Sequence, residues 1–407
     1  MEDLLFLAHR IPYPPNKGDK IRSWNILKHL AGRYRVRLGC LIDDPHDRQY
    51  VTELERHCAE VMAVPIDPFR QRIRALLKSR PGSPLSAAYF QTPELSDWVY
   101  ETIRRRRIEQ ALVFSTPMMA SLPPWHGYAM RVVLDMVDVD SKKWREMAEK
   151  TAGPKRWIYW REARTLADFE RKAAAGAAYT LLSSDVEAAL FAASAPELAG
   201  RIGAMGNGVD LDYFSPAHGF RRPYPADRPA IVFTGDMSYW PNIEAVAWFA
   251  REVLPMLARR NPRPIFVIVG ARPAVSVLAL AGTDVLVTGR VDDVRPYLAH
   301  ADAVVAPLLL ARGVQNKVLE AMAMGRPVIA TSAAEEGLDV RGDGAMLIAD
   351  GREEFARHVD ETLDGRHGDI GQIARRVAET RFGWAKKLSR LDELFDAGVR
   401  LPDNRVR

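Results

Sequence analysis

Residues 311–331, ARGVQNKVLEAMAMGRPVIAT, hold the side chains best suited to grip a charged ligand. Val314, Val318, Leu319 and Met322 recur at helical spacing. A helix is therefore predicted to start near Gly313 or Val314 and to be capped by Gly325, with Pro327 just beyond. A glycine ahead of a helix lets backbone N–H groups, here those of Gly313, Val314, Gln315 and Asn316, come close to a ligand. The helix dipole then favours an anion, and a diphosphate fits. Arg312 and Lys317 add two full positive charges, and Glu320 on the same helix can accept hydrogen bonds from vicinal hydroxyls such as those of a ribose. On spacing alone, a solvated glutamate and an ordinary glycine before a helix fit equally well.

The other chemistry-bearing residues lie in the first half. Asp135 and Asp138 fall at or just after an apolar strand and ahead of a helix expected from Ser141. Helix capping accounts for one such aspartate; a group of them also suits contact with acceptor hydroxyls or a catalytic contribution. The loop PYPPNKGDK, with Gly18 near its end, follows the first strand and precedes an amphipathic helix, so backbone N–H groups there can face a diphosphate or a reacting sugar. A plain proline-rich turn is the simpler alternative. The loop lacks Gly-x-Gly-x-x-Gly, which argues against a nicotinamide cofactor.

The elements that would position these residues follow one plan. In the second half, β-rich runs at 231–234, 265–270, 285–289, 303–309, 327–331 and 346–349 alternate with helical patterns, the clearest at 244–260 and 353–363. In the first half, strand runs at 4–8, 36–42, 61–64, 112–115, 132–135 and 179–182 alternate with helical patterns at 21–33, 49–59, 95–107 and 141–175. Continuous apolar strands separated by helices predict parallel sheets covered on both faces. The stretch 207–229, rich in Gly, Pro and Asp, reads as a hinge. The predicted organisation is an N-terminal Rossmann-like domain at 1–206, a linker at 207–229, a C-terminal Rossmann-like domain at 230–385 and a final helix at 386–407.

The bulk properties narrow the function. A chain of 407 residues that is 47% hydrophobic can fill two cores. No apolar run reaches the roughly 20 residues needed to span a bilayer, and the acidic start Met1-Glu2-Asp3 is unlike a secretory signal; both predict a cytoplasmic protein. Two cysteines, Cys40 and Cys58, support neither a disulfide framework nor a cysteine-based metal site. The net charge of +5 suits an anionic partner. Basic and aromatic residues interleave from Lys142 to Arg164, and 70–80 and 104–107 are also cationic; such faces suit an anionic membrane surface, or are simply solvated. No nucleic-acid-binding motif accompanies the charge, so no nucleic-acid partner is expected.

Residues 311–331 resemble the signature of the large retaining GT-B glycosyltransferase family that includes bacterial mannosyltransferases and sucrose synthase. That family carries Glu-x7-Glu followed by Ala-Met-Ala, a small residue, Gly and Pro. Here Glu320 matches the second Glu, and Ala321-Met322-Ala323-Met324-Gly325-Arg326-Pro327 follows. Asn207-Gly208-Val209-Asp210 looks like the family's interdomain element. Phe233-Thr234-Gly235 with Pro241-Asn242 looks like its first C-terminal strand and loop, and Gly289-Arg290-Val291 like the loop it sets against the nucleotide base. Closer still, PYPPNKGDKIRSWN, DMVDVDSKKW and LARGVQNKVLEAMAMGRPV are similar to sugar transferases of exopolysaccharide and exosortase (PEP-CTERM) systems. The chain departs from the family where the first Glu is expected, at Arg312, and it has no Arg or Lys between Gly235 and Pro241.

The resemblance implies a GT-B fold of the α/β class, two doubly wound domains facing each other across a cleft. It implies retaining transfer of a sugar from a nucleotide diphosphate to a saccharide or lipid-linked acceptor, in exopolysaccharide or cell-surface glycan synthesis. Arg312, Lys317, Asp135 and Asp138 are the expected catalytic residues. Gly18, Gly235, Arg290, Val291, Gly313, Val314, Gln315, Asn316 and Glu320 are the expected donor-binding ones. The Asp138-Val139-Asp140 run is not read as the metal-binding Asp-x-Asp of single-domain glycosyltransferases, and no metal or other cofactor is expected. Two alternatives remain: a nucleotide-sugar epimerase with the same fold, and a non-catalytic nucleotide-sugar-binding protein.

Overall fold

A computed structural model describes residues 1–78, 82–123, 130–311 and 313–396. The chain forms two compact units. One comprises Met1–Gly206 with the chain from Leu388 onward, and the other Asn207–Lys387.

The first unit is built on seven parallel strands: β1 (Asp3–Ala8), β2 (Arg35–Ile42), β3 (Glu60–Pro65), β4 (Gln110–Phe114), β5 (Arg131–Val137), β6 (Tyr179–Leu182) and β7 (Ile202–Ala204). Their order in the sheet is β3-β2-β1-β4-β5-β6-β7. The central strands β1 and β4 are apolar and buried almost throughout because helices cover both faces. Cys40 on β2 is wholly buried and its thiol is pushed far up by desolvation, so it behaves as a small hydrophobe.

The second unit has six parallel strands: β8 (Ala230–Thr234), β9 (Ile265–Val269), β10 (Val285–Gly289), β11 (Ala303–Ala306), β12 (Val328–Ala330) and β13 (Leu347–Ile348). Their order is β10-β9-β8-β11-β12-β13. In each sheet the winding reverses beside the first strand, between β1 and β4 and between β8 and β11. Ligands of open parallel sheets bind at such switch points, beyond the carboxyl ends of the strands. The segments 9–17, 235–239, 307–311 and 313–315 lie there.

Several elements differ from expectation. Strand β7 was not anticipated, because three half-buried residues, Ile-Gly-Ala, carry too little pattern. The 141–175 pattern is two helices, Asp140–Lys150 and Pro154–Gly176, split where Gly153 adopts φ +76 and Pro154 starts the second. The 244–260 pattern is an α-helix at Trp240–Trp248, a π turn at Phe249–Val253 and a 3-10 turn at Leu254–Leu257. Pro255, lacking an N–H, cannot continue a regular helix. The 49–59 pattern is a 3-10 turn at Pro45–Tyr50 and a short helix at Val51–Glu55.

Buried carboxylates do much of the positioning in the first unit. From the Pro154–Gly176 helix, Glu162 accepts hydrogen bonds from the backbone N–H groups of Leu85 (2.7 Å) and Ser86 (2.9 Å). Glu170 accepts from the N–H (3.0 Å) and hydroxyl (2.5 Å) of Ser141. Each thereby satisfies the first N–H groups of a neighbouring helix, Leu85–Phe90 and Asp140–Lys150, and meets the positive end of its dipole. The helix Trp384–Asp396 is tied to this unit by His29 to Asp392 (2.8 Å) and by Arg390 to the Tyr179 hydroxyl (3.0 Å).

Candidate functional site

The second-unit switch point is shaped by close backbone contacts. A Cβ on Gly270 would lie 1.6 Å from the Gly235 carbonyl oxygen, so the turn leaving β8 rests directly on the end of β9. A Cβ on Gly337 would lie 2.2 Å from the Gly313 carbonyl oxygen, and Gly313 itself has φ +62. Only glycine permits that approach and that dihedral.

The helix that follows runs Asn316–Ala323, so it begins two to three residues later than predicted. Gly313, Val314 and Gln315 therefore lie in the loop before it. Gln315 is the N-cap position but its side chain does not cap; its amide donates instead to the Gly313 carbonyl (3.3 Å). The far end matches expectation. Gly325 sits at φ +65, its N–H donates to Met322 (2.9 Å), and the Arg326 N–H donates to Ala321 (3.0 Å), a Schellman motif. Val318, Leu319, Ala321, Met322 and Ala323 are buried and lock this helix against the sheet.

Lys317 projects from the first turn toward β8. Its ammonium donates to Asn242 Oδ1 (2.5 Å) and stands 4.1 Å from the centre of the Phe233 ring. The Asn242 amide nitrogen donates in turn to the Asp236 carbonyl (2.9 Å), so one side chain joins the lysine to the turn after β8. A Cβ on Gly235 would meet both the Asn242 amide and the Lys317 ammonium, which brings Gly235 into the same group. Asn316 accepts from the Asn207 amide (3.0 Å). Burial pushes the Lys317 ammonium down to about 7, with Glu320 opposing; burial also pushes the Glu320 carboxyl up to about 7, with Lys317 opposing. The two lie three residues apart on one helix face. This cluster sets a cation and an acid that both titrate near neutrality beside an uncapped helix start.

Arg290 and Val291 follow β10, two strands out from β8; Arg290 is exposed, and Val291 is part-buried against the core. Arg312 lies outside the described residues. Sequence reasoning left Asn242, Asn207 and Phe233 out of the site. Asn242 had a visible signal, since it follows Pro241 at a helix start and faces the turn after β8.

In the first unit, Gly18 is the exposed first residue of the Gly18–Ala31 helix, whose preceding residue Lys17 provides no side-chain cap. Asp19 in that first turn binds Arg10 (2.7 Å) and lies 3.3 Å from His9, and Arg10 also binds Asp43 (2.7 Å). His9 stacks on Phe114, with ring centres 5.5 Å apart, at the β1–β4 switch point.

Asp135 is fully buried and both its oxygens receive hydrogen bonds from the equally buried Arg22 (2.7 and 3.0 Å). Burial pushes its carboxyl up and the guanidinium pulls against that. Its side chain thus ties β5 to the first helix. Asp138 accepts from Lys143 (2.7 Å) and from the Ser183 hydroxyl (2.7 Å); burial alone would raise its carboxyl, but these donors hold it below its usual value.

Residues 228–365 match the family model described as glycosyl transferases group 1. A Klebsiella pneumoniae protein, described as an uncharacterized 44.6 kDa protein in the cps region, is 22% identical over 138 residues. That stretch covers 32% of this chain and 36% of the relative, about a third of its length. Sucrose-phosphate synthase from Thermosynechococcus elongatus is similar with a TM-score of 0.71 and 17% identity, over 97% of this chain and 98% of that one. HepE of Anabaena in complex with UDP-glucose is similar with a TM-score of 0.66 and 16% identity, over 97% and 100%. WaaG, a glycosyltransferase involved in lipopolysaccharide biosynthesis, has a TM-score of 0.67 and 16% identity, again over 97% and 100%. The fold is GT-B. At these identities it is the fold that is shared, across nearly the whole of this chain.

Proposed function

We propose that this protein transfers a sugar, with retention, from a nucleotide diphosphate to a saccharide or lipid-linked acceptor in exopolysaccharide or cell-surface glycan synthesis. The observation that carries the reading is the arrangement of Lys317, Asn242 and Gly235 around the start of the Asn316–Ala323 helix at the second-unit switch point. In support, this site lies inside the stretch that matches the glycosyl transferases group 1 model, and the similar HepE structure is described as a complex with UDP-glucose.

During transfer the bond from the anomeric carbon to the diphosphate breaks and a bond to the acceptor oxygen forms, the acceptor hydroxyl giving up its proton to the departing phosphate oxygen, so negative charge gathers on the diphosphate as it leaves. In this reading the backbone N–H groups at the helix start, the Lys317 ammonium and Arg312 meet that charge. A fixed donor of this kind is worth roughly 3–4 kcal/mol in a transition state. These cations would supply what a metal ion supplies elsewhere, so no metal is assigned. Glu320 would accept hydrogen bonds from the ribose hydroxyls, Arg290 and Val291 would border the base, Gly18 would serve the donor, and Asp138 would belong to the acceptor side.

Calorimetric titration of purified protein with nucleoside diphosphates and their sugars tests the reading. One diphosphate should bind selectively, and release of that diphosphate from its sugar should require an acceptor. Conversion of the donor without any acceptor would point to an epimerase, and binding without turnover to a sugar-nucleotide-binding protein.

A further inference from the structure

We propose that the helix Pro68–Lys78 is an interfacial anchor that seats the first unit on an anionic lipid bilayer. This goes beyond the transfer reading and does not depend on it. Among the described residues no helix is long and apolar enough to cross a membrane.

The helix, PFRQRIRALLK, leaves four large apolar side chains in water: Phe69 is 70% exposed, Ile73 43%, Leu76 64% and Leu77 80%. Scattered exposed hydrophobics are ordinary, but four on one 11-residue helix are not. At helical periodicity they fall within an arc of about 100°. Gln71 and Ala75 lie on the opposite side and are buried, so the helix is already docked on the unit by that face and turns the apolar stripe outward.

Charge identifies the occupant. Arg70 borders the stripe on one side and Arg72 on the other, both exposed, with Arg74 next to Arg70. The helix contains no acidic residue; Asp67, just before it, accepts from the N–H groups of Phe69 (2.8 Å) and Arg70 (3.0 Å) and so belongs to its N-terminal end. An apolar stripe edged by guanidinium groups matches acyl chains edged by headgroup phosphates. The surroundings extend the same chemistry. The Leu85–Phe90 helix packs against both this helix and the Pro154–Gly176 helix, where Trp157 is 71% exposed and Trp160 stands beside Arg145. Sequence reasoning placed the basic and aromatic membrane face at 142–164, with 70–80 and 104–107 also cationic; the exposure pattern makes Pro68–Lys78 the principal element.

Co-sedimentation of the full chain with vesicles tests this, using phosphatidylcholine alone and phosphatidylcholine with one part in three phosphatidylglycerol. The intact chain should bind the anionic vesicles at low salt and release as salt rises. Leu76→Ser with Leu77→Ser should lower partitioning at least about tenfold. Arg70→Gln with Arg72→Gln should lower it roughly thirtyfold at low salt and abolish the preference for phosphatidylglycerol. Both pairs are exposed, so the thermal unfolding midpoint should stay that of the parent. Three outcomes would overturn the proposal. One is failure of the intact chain to bind anionic vesicles; another is unchanged binding by the Leu pair while Trp157→Ser abolishes it. The third is a dimer in sedimentation velocity that the Leu pair dissociates, which would mean that a second copy covers this face.

Discussion

Replacing Lys317 by methionine should change not only how tightly a nucleoside diphosphate binds but how that binding depends on pH. Burial holds the free lysine down at about 7, although Asn242 positions its ammonium for an anion. A bound diphosphate would restore the charged form, so binding takes up a proton wherever the free protein lacks it. The sign follows directly. Above pH 7 the free lysine is increasingly neutral, and affinity falls by up to about tenfold per pH unit. If the bound lysine stays charged through pH 9, the dissociation constant should rise roughly fiftyfold between pH 7 and pH 9. At pH 7 itself, loss of one charge-assisted hydrogen bond should cost about 2 kcal/mol, or ~30-fold. Methionine keeps an unbranched apolar stem and removes the ammonium that stands over Phe233 and donates to Asn242. Titration calorimetry in two buffers of different ionisation enthalpy measures both the affinity and the proton uptake. The reasoning is refuted if the parent protein binds equally well at pH 7 and pH 9, or if Lys317→Met keeps the same alkaline loss.

Four further outcomes are expected. Arg312→Ala should lower turnover more than donor affinity, as steady-state kinetics set against direct binding would register, and equal losses would remove its leaving-group role. Gly337→Ala should push the Gly313 carbonyl, and with it the 313–315 loop, off its seat against residue 337 and weaken diphosphate binding at least tenfold, an effect on the order of 1.4 kcal/mol that calorimetry reads directly. Asp135→Ala should strand the buried Arg22 and destabilise the first unit by roughly 3–5 kcal/mol in urea unfolding. Glu170 is pushed up to about 7 by burial despite its hydrogen bonds from Ser141. Its folded value lies above its unfolded one, so the native state holds the extra proton. Stability should fall as pH rises from about 5 to about 7, and Glu170→Gln should flatten that slope in thermal unfolding.

How much of this was legible follows from the kind of signal each element carries. Apolar strands such as β1, β8 and β9 declare themselves, because a strand buried on both faces needs a continuous hydrophobic run. The Gly325 cap was equally readable, since a left-handed residue flanked by a helix and a proline has few substitutes. Helix ends were less so. The Asn316 start depends on how Gly313 seats against Gly337, a contact between residues 24 positions apart that no local pattern encodes. The same holds for Asp135. An aspartate at a strand end looks available to a ligand until Arg22, 113 residues away, takes both its oxygens. Lys317 was picked out for its charge, but its pairing with Asn242 and its depressed basicity are products of packing.

The central claim is that the second unit holds a nucleoside diphosphate on the Asn316–Ala323 helix, with Glu320 on the ribose. The most direct measurement is a calorimetric comparison of UDP, GDP and ADP on the parent protein and on Glu320→Ala. Selective binding of one diphosphate, weakened at least tenfold in the variant, is the predicted result. Binding of none of the three, or equal affinity in the variant, would contradict it.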